Sequence, residues 1–290
     1  MRTIRERRED HKNNQQGQDG EHPREEAEQA LQTLGQEAPE VVDAGAQIGA
    51  KRLARPSVGD ALTSFIGGMS VSFGAVAMAW AAASMGNQPP PSPAHLVGSL
   101  TFPIGFVILL VGKSELFTEN FFLPVTAVLE RRGTLSQLGQ LWGVSLLFNL
   151  LGGLVFALLI SRPGVLDTAP AHHMIELATA KVAYPFWTAF VKAIFAGWLM
   201  TLLTWLLVAV DGIGPRLLII WAMATLIVLG NFNHVVISAS EIFMAMFLGA
   251  PITVVDWLLH NFLPALAGNM LGGVIFVTLL FYIQAQYHHE

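Results

Sequence analysis

Two polar clusters interrupt otherwise apolar stretches of this chain. The first reads Gly112-Lys113-Ser114-Glu115-Leu116-Phe117-Thr118-Glu119-Asn120; the second reads Gly230-Asn231-Phe232-Asn233-His234 and is followed by Ser238, Ser240 and Glu241. Hydroxyl, amide and imidazole groups such as Thr118, Asn233, Ser238 and His234 can replace the hydration shell of a small solute. His234 also changes charge near neutral pH: burial favours the neutral ring, and an approaching anion favours the imidazolium. A proton passed to a weak-acid anion lets it cross an apolar constriction as a neutral molecule. The same ring can equally serve to hold a loop by hydrogen bonds.

The charges in and near these clusters admit two accounts. A lysine inside an apolar span must pair, snorkel or meet water, which applies to Lys113 and Lys192. In the first account Lys113 or Lys192 pairs with Glu115, Glu119 or Glu241 and holds a break closed. In the second a lysine stands on the solute path and attracts anions. Glutamates facing the path unpaired would instead favour cations or neutral solutes.

The elements around these clusters have the dimensions of membrane spans. Of 290 residues, 53% are hydrophobic and 13% charged, and nine of the sixteen Lys and Arg precede Pro56. From Val58 onward, apolar runs of about 20 residues recur, enough to cross a hydrocarbon core. They give an all-α integral membrane protein with six spans, from about 61–84, 97–129, 138–160, 186–210, 217–248 and 262–282. The second and fifth are too long and too polar for plain helices, and the two polar clusters break them. Irregular backbone at membrane depth is tolerated only inside protein or along water.

The halves also repeat. Asn149-Leu150-Leu151-Gly152-Gly153 returns as Asn269-Met270-Leu271-Gly272-Gly273, an offset of 269 − 149 = 120. Applied to the breaks, that shift sets Thr118 on Ser238 and Ser114 on His234. Three spans per copy is an odd number, so the second copy enters the bilayer from the opposite side, an inverted 3+3 repeat of the kind transporters use. The glycine pairs permit close helix crossings. The basic tail, Arg131-Arg132 and Arg216 fall on one side, against Arg162 and Lys181 on the other, which places both termini in the cytoplasm. Trp80, Trp142, Trp187, Trp221 and Trp257 fall near span ends, where indoles anchor to the lipid interface.

The expected organisation is therefore a charged, largely disordered tail over 1–56, a channel domain over 57–284 and a short tail over 285–290. Ala27, Ala30, Leu31 and Leu34 permit a short amphipathic helix in the first tail, which lacks the apolar core of a secretory signal. With no cysteine there is no thiolate metal site or haem attachment, and the adjacent histidines 172–173 and 288–289 make poor chelates alone. No metal or other cofactor is expected, no catalytic or phosphate-binding motif is present, and the acid-balanced net charge of −5 argues against a nucleic-acid partner. The chain reads as a transport protein rather than an enzyme.

Glu115-Leu116-Phe117-Thr118, the loop from Gly230 to His234, Asn261-Phe262-Leu263-Pro264 through Gly268-Asn269, and the Asn149 and Asn269 repeats together resemble the formate/nitrite transporter family, with its YfdC-type inner-membrane branch the nearest in flavour. The resemblance covers about Val58 to Tyr282. It implies an aquaporin-like protomer with its own pore, assembled as a homopentamer in lipid, passing small monovalent anions such as formate or nitrite. By the same resemblance Thr118 stands beside a constriction, His234 is the pore histidine, Lys181 lies near the outer vestibule, and Phe117 and Phe232 supply apolar constrictions. The chain departs from transporting members at Asn233, where many are acidic, at Ser238, Gly197 and Glu119. These departures keep open a pore for small neutral solutes, or a nonconducting scaffold or sensor that uses its tail.

Overall fold

A computed structural model describes residues 35–86, 88 and 90–287, and the helices lie in the compact unit from Ala38 onward. They are α1 (Ala38–Leu53), α2 (Ser57–Ser84), α3 (Pro93–Val111), α4 (Phe117–Leu129), α5 (Leu135–Ile160), α6 (Thr168–Val182), α7 (Phe186–Ala209), α8 (Ile213–Leu229), α9 (Val235–Phe247) and α10 (Val254–Tyr287). Among the described residues, α2, α3, α5, α7 and α10 are long and apolar enough to cross a membrane, and α4, α8 and α9 are shorter apolar helices. The two polar clusters separate α3 from α4 and α8 from α9.

Local sequence explains the element ends. Thr134 and Gln137 form a capping box that starts α5, and Thr253 with Asp256 does the same for α10. Gly112 and Gly230 end α3 and α8, and the next residues, Lys113 and Asn231, take positive φ of 61° and 50°. In α10 the turns widen to π geometry over Trp257–Phe262, just before Pro264, which has no N–H to donate, and again over Leu271–Leu279.

Helix crossings depend on missing side chains. A Cβ on Gly68 of α2 would stand 2.0 Å from the Asn149 carbonyl oxygen of α5, and one on Gly197 of α7 would stand 2.2 Å from the Asn269 carbonyl oxygen of α10. Backbones that close leave no room for alanine. Phe102, Phe106, Leu109, Met200, Leu203 and Ile227 fill the core between the helices. Outward faces are apolar too: Leu96, Leu100, Ile104 and Ile108 recur every four residues on one exposed face of α3, as suits a helix bathed in lipid.

Three expectations change. The 1–56 zone, read as largely disordered, ends in α1, whose Val41, Val42, Gly45, Ala46, Gly49 and Leu53 form a buried face against α4. A Cβ on Gly49 would meet the Leu123 carbonyl oxygen at 1.9 Å. A small-residue stripe with little hydrophobicity is a weak signal in sequence, yet it packs well against a backbone. The connection left between the third and fourth spans is itself partly helical and carries α6. Helix α10 extends to Tyr287, and Ala285 joins the apolar cluster of Val41, Val42, Phe122 and Trp205 beneath α1. The helix proposed around Ala27 to Leu34 and the histidines 288–289 lie outside the described residues.

Candidate functional site

The two breaks are built alike. In the first, the N–H groups of Gly112, Lys113 and Ser114 bond to the carbonyls of Ile108, Leu110 and Leu109; in the second, those of Gly230, Asn231 and Phe232 bond to Leu226, Val228 and Ile227. One buried asparagine then holds each loop. Asn149 Oδ1 accepts from Phe117 N–H at 2.7 Å, while its Nδ2 donates to the carbonyls of Ser64 (2.6 Å) and Glu115 (2.9 Å). Asn269 Oδ1 accepts from Val235 N–H at 2.8 Å, and its Nδ2 donates to Ala193 (2.8 Å) and Asn233 (2.9 Å). Three bonds from one amide satisfy backbone groups that no helix can reach.

This correspondence corrects the alignment of the breaks. Phe117 matches Val235, so the offset there is 235 − 117 = 118. Thr118 therefore falls opposite Val236 and not Ser238, and His234 falls opposite Leu116 and not Ser114. The chain is two residues shorter between break and following asparagine in the first copy than the uniform shift of 120 assumes.

The breaks meet at Thr118 and His234. The imidazole Nε2 lies 2.9 Å from Thr118 Oγ1, and both residues are fully buried. His234 also caps α9: its Nδ1 accepts from Ile237 N–H at 3.3 Å. An accepting Nδ1 puts the ring proton on Nε2, which then donates to the threonine and leaves the Thr118 hydroxyl hydrogen to bond elsewhere. Ser238 Oγ donates toward the His234 carbonyl (2.7 Å) and Asn261 Oδ1 (3.0 Å), and Asn261 Nδ2 donates to Asn233 Oδ1 at 3.1 Å. Asn233 Nδ2 is buried with no partner among the described residues. This polar string, Thr118–His234–Ser238–Asn261–Asn233, lies inside an otherwise apolar core.

A cavity of about 740 Å³ opens beside it, lined among others by Phe232, Ile237, Lys181 and Glu241. His234 and Thr118 are not in its wall. Phe232 stacks on Phe195 at 5.2 Å, whereas Phe117 packs edge-on against Phe121 and Trp142 within the core. Lys181, from α6, forms an ion pair with Glu241. His173 of α6 also lines the cavity; burial first, and then the neighbouring His95 and His172, hold its imidazole below the ordinary value, against an opposing pull from Glu176.

The glutamate pairing expected with Lys113 or Lys192 does not form. Lys113 is exposed, and Lys192 Nζ lies 3.4 Å from the carbonyls of Gly230 and Asn231 and 5.2 Å from the Tyr184 ring centre. Glu241 takes Lys181, and Glu115 and Glu119 take arginines from α1 and just beyond it. Glu115 accepts from Arg55 at 2.9 Å and lies 3.4 Å from Arg52 Nε, and Glu119 lies 3.3 Å from Arg52 Nη2. Arg52 Nη1 also donates to Asn120 at 2.9 Å. Guanidinium geometry suits two acids and an amide at once, where an ammonium does not. Along the short 3₁₀ turn of the first break, Thr118 thus faces the histidine while Glu119 faces the arginines. Sequence reading missed Arg52 and Arg55 because they belong to what looked like a solvated tail; their only signal was their place directly before the first span.

A family model described as "Formate/nitrite transporter" matches residues 39–283. The chain belongs to that family. The match begins at α1, so the family's common body includes the helix that carries Arg52. Among its relatives are an uncharacterized transporter, YrhG, of Bacillus subtilis, 28% identical over 87% of this chain and 93% of its own length, and the nitrite transporter NirC of Salmonella typhimurium, 30% identical over 79% and 86%. The inner membrane protein YfdC of Escherichia coli is 29% identical over 65% of this chain and 61% of its own. Of solved structures, an ion channel of the family superposes with a TM-score of 0.75 at 25% identity, covering 84% of this chain and 98% of the channel. A pentameric formate channel with formate bound shares the fold at 19% identity, with a TM-score of 0.68 over 79% and 98%. The chain is thus a membrane transport protein of a family of channels and transporters.

Proposed function

We propose that this family member is a channel or secondary transporter for small monovalent anions of the formate and nitrite type, proton-linked at His234. The observation that carries the reading is the His234–Thr118 contact, where two interrupted helices from the two copies of the repeat meet beside a cavity. The nitrite and formate relatives support the substrate class. In this reading α3 with α4 and α8 with α9 are the broken second and fifth of six spans, the two copies are inverted, and five aquaporin-like protomers assemble in the bacterial inner membrane. Arg132, which pairs with Asp43 of α1, and the Ala285 end of α10 lie at the α1 end, which faces the cytoplasm. The described cavity then opens outward.

An anion reaching the centre accepts hydrogen bonds from the Thr118 hydroxyl and from the ring Nε2–H, and Asn233 Nδ2 adds a buried donor without a partner. Charging the ring places a second proton on Nδ1, opposite Ile237 N–H, and costs α9 its cap. The imidazolium is therefore a state that only an adjacent anion stabilises. Nδ1 takes a proton from solvent, the anion takes the one on Nε2 and leaves as the neutral acid, and the ring regains its capping tautomer when Nε2 picks up a solvent proton and Nδ1 releases its own.

Stopped-flow flux of formate, nitrite, chloride and glycerol into proteoliposomes tests this. Anion uptake should rise with an inward proton gradient and fall at least tenfold in His234→Ala. Glycerol flux alone would assign a neutral-solute pore, and no flux in either protein would leave a scaffold.

A further inference from the structure

The cavity beside His234 has a charge arrangement that the lysine alone does not predict. Lys181 and Glu241 both line it, their side chains are 11% and 2% exposed, and they form an ion pair. Glu241 stands seven residues after His234, two turns along α9, and so lies on the same helix face as the capping end. A carboxylate this buried requires a counter-charge, and Lys181 is the cation the structure gives it. The other charged or titratable groups at the wall are of a different kind. Glu176 faces solvent beside His172 at 3.4 Å, His95 Nε2 bonds to the Leu229 carbonyl, His173 and Tyr184 are the remaining titratable groups of the wall, and Lys192 stands behind it, 5.2 Å from the Tyr184 ring centre.

We propose that Glu241 is a specificity-determining residue, the resident counter-ion that cancels Lys181 and leaves the deep end of the vestibule without net charge. An attractor lysine raises the local concentration of anions only when its field is uncompensated. Paired at contact distance, it presents a dipole, with one donor and one acceptor end. Such a wall receives a protonated weak acid, which can donate to Glu241 and accept from Lys181, more readily than it concentrates bare anions. The proposal deepens the anion-transport reading for its flux readout, and its charge readout stands without that reading.

The absence of cysteine gives a direct probe of the vestibule. Ala180, exposed and in the cavity wall next to Lys181, is replaced in the full-length chain by Ala180→Cys. In proteoliposomes the rate of its modification is measured with an anionic sulfonatoethyl and a cationic trimethylammonioethyl methanethiosulfonate. Adding Glu241→Gln should raise the anionic-to-cationic rate ratio about threefold or more at low salt, an effect that fades as salt rises. Lys181→Met should lower the ratio, and the double variant should restore the value of Ala180→Cys alone. An unchanged ratio in Glu241→Gln overturns the proposal. If that variant fails to assemble, the double variant decides, because a ratio displaced from the parent in either direction contradicts a cancelled pair. In flux assays, Glu241→Gln should lower the half-saturating nitrite concentration by a similar factor. A parent that passes no anion defeats the transport reading while the reagent ratios still report on Glu241.

Discussion

The two breaks share a backbone and differ in what surrounds it. Each begins with a glycine-ended helix, continues through a residue of positive φ and is held by three bonds from one asparagine. The first break is then clamped a second time, by Arg52 and Arg55 on Glu115 and Glu119. Among the described residues the second carries no carboxylate–guanidinium clamp: its side chains are neutral amides, hydroxyls and the His234 ring, Lys192 Nζ reaches its Gly230 and Asn231 carbonyls only at 3.4 Å, and its charge pair, Lys181 with Glu241, lies two turns further on. A repeated fold has thus been fixed at one break by an ion-pair clamp and left more lightly held at the other, where His234 stands. The more weakly held loop is the one suited to movement during passage of a solute.

The largest effect should follow from removing the shared strut, and the comparison orders the two outcomes. Asn269→Ala strands Val235 N–H and the carbonyls of Ala193 and Asn233, a loss of roughly 4 kcal/mol for three buried bonds. Asn149→Ala removes the same number, but the arginine clamp keeps its loop in place, so a loss of roughly 3 kcal/mol is expected. Thermal loss of folded protein in detergent, followed by size exclusion, reads the order. Equal losses would mean that the clamp adds nothing to the first break.

The repeat itself was legible from sequence because Asn-x-x-Gly-Gly is rare enough to recognise twice, and the spans were legible because lipid demands about 20 apolar residues. The breaks were legible as polarity in the wrong place. The pairing of their charges was not. Glu115 and Glu119 offered lysines near them in sequence, but the fold brings Arg52 from more than sixty positions away, and nothing in local pattern records such a contact. The uniform offset failed for a related reason, since the copies have diverged by two residues in length between the elements that define the break. His234 and Thr118 were each legible as polar groups of a break, but their contact was not, because it spans 116 positions.

The arginine clamp can be removed without touching the strut. Arg52→Ala leaves Glu119, 5% exposed, without its guanidinium, and should destabilise the protein by about 3 kcal/mol. Glu119→Gln in the same chain should recover most of that loss, because the buried charge is gone. Thermal melts of the two single variants and the double variant form a cycle. Additive losses would show that Arg52 and Glu119 do not act on each other, and the contrast between the two breaks would reduce to their side-chain composition.

The smallest effect concerns how α1 is pinned at its outer edge. Asp43 accepts from Arg132 and from Gln47, and these two bonds, the arginine's first, hold its carboxyl below the ordinary value of 3.8. A lowered folded pKa gives a contribution that is complete above the unfolded value and is lost as pH falls through the folded one. Across the range from about pH 5 to about pH 8, the link is therefore constant. The groups are exposed, so Asp43→Asn should cost less than about 1 kcal/mol. Flux and melting measured over that pH range should keep the same shape in Asp43→Asn as in the parent. A pH profile that changes with this substitution would show that α1 takes part in proton sensing through its surface, and would move the titrating function from the second break toward the first.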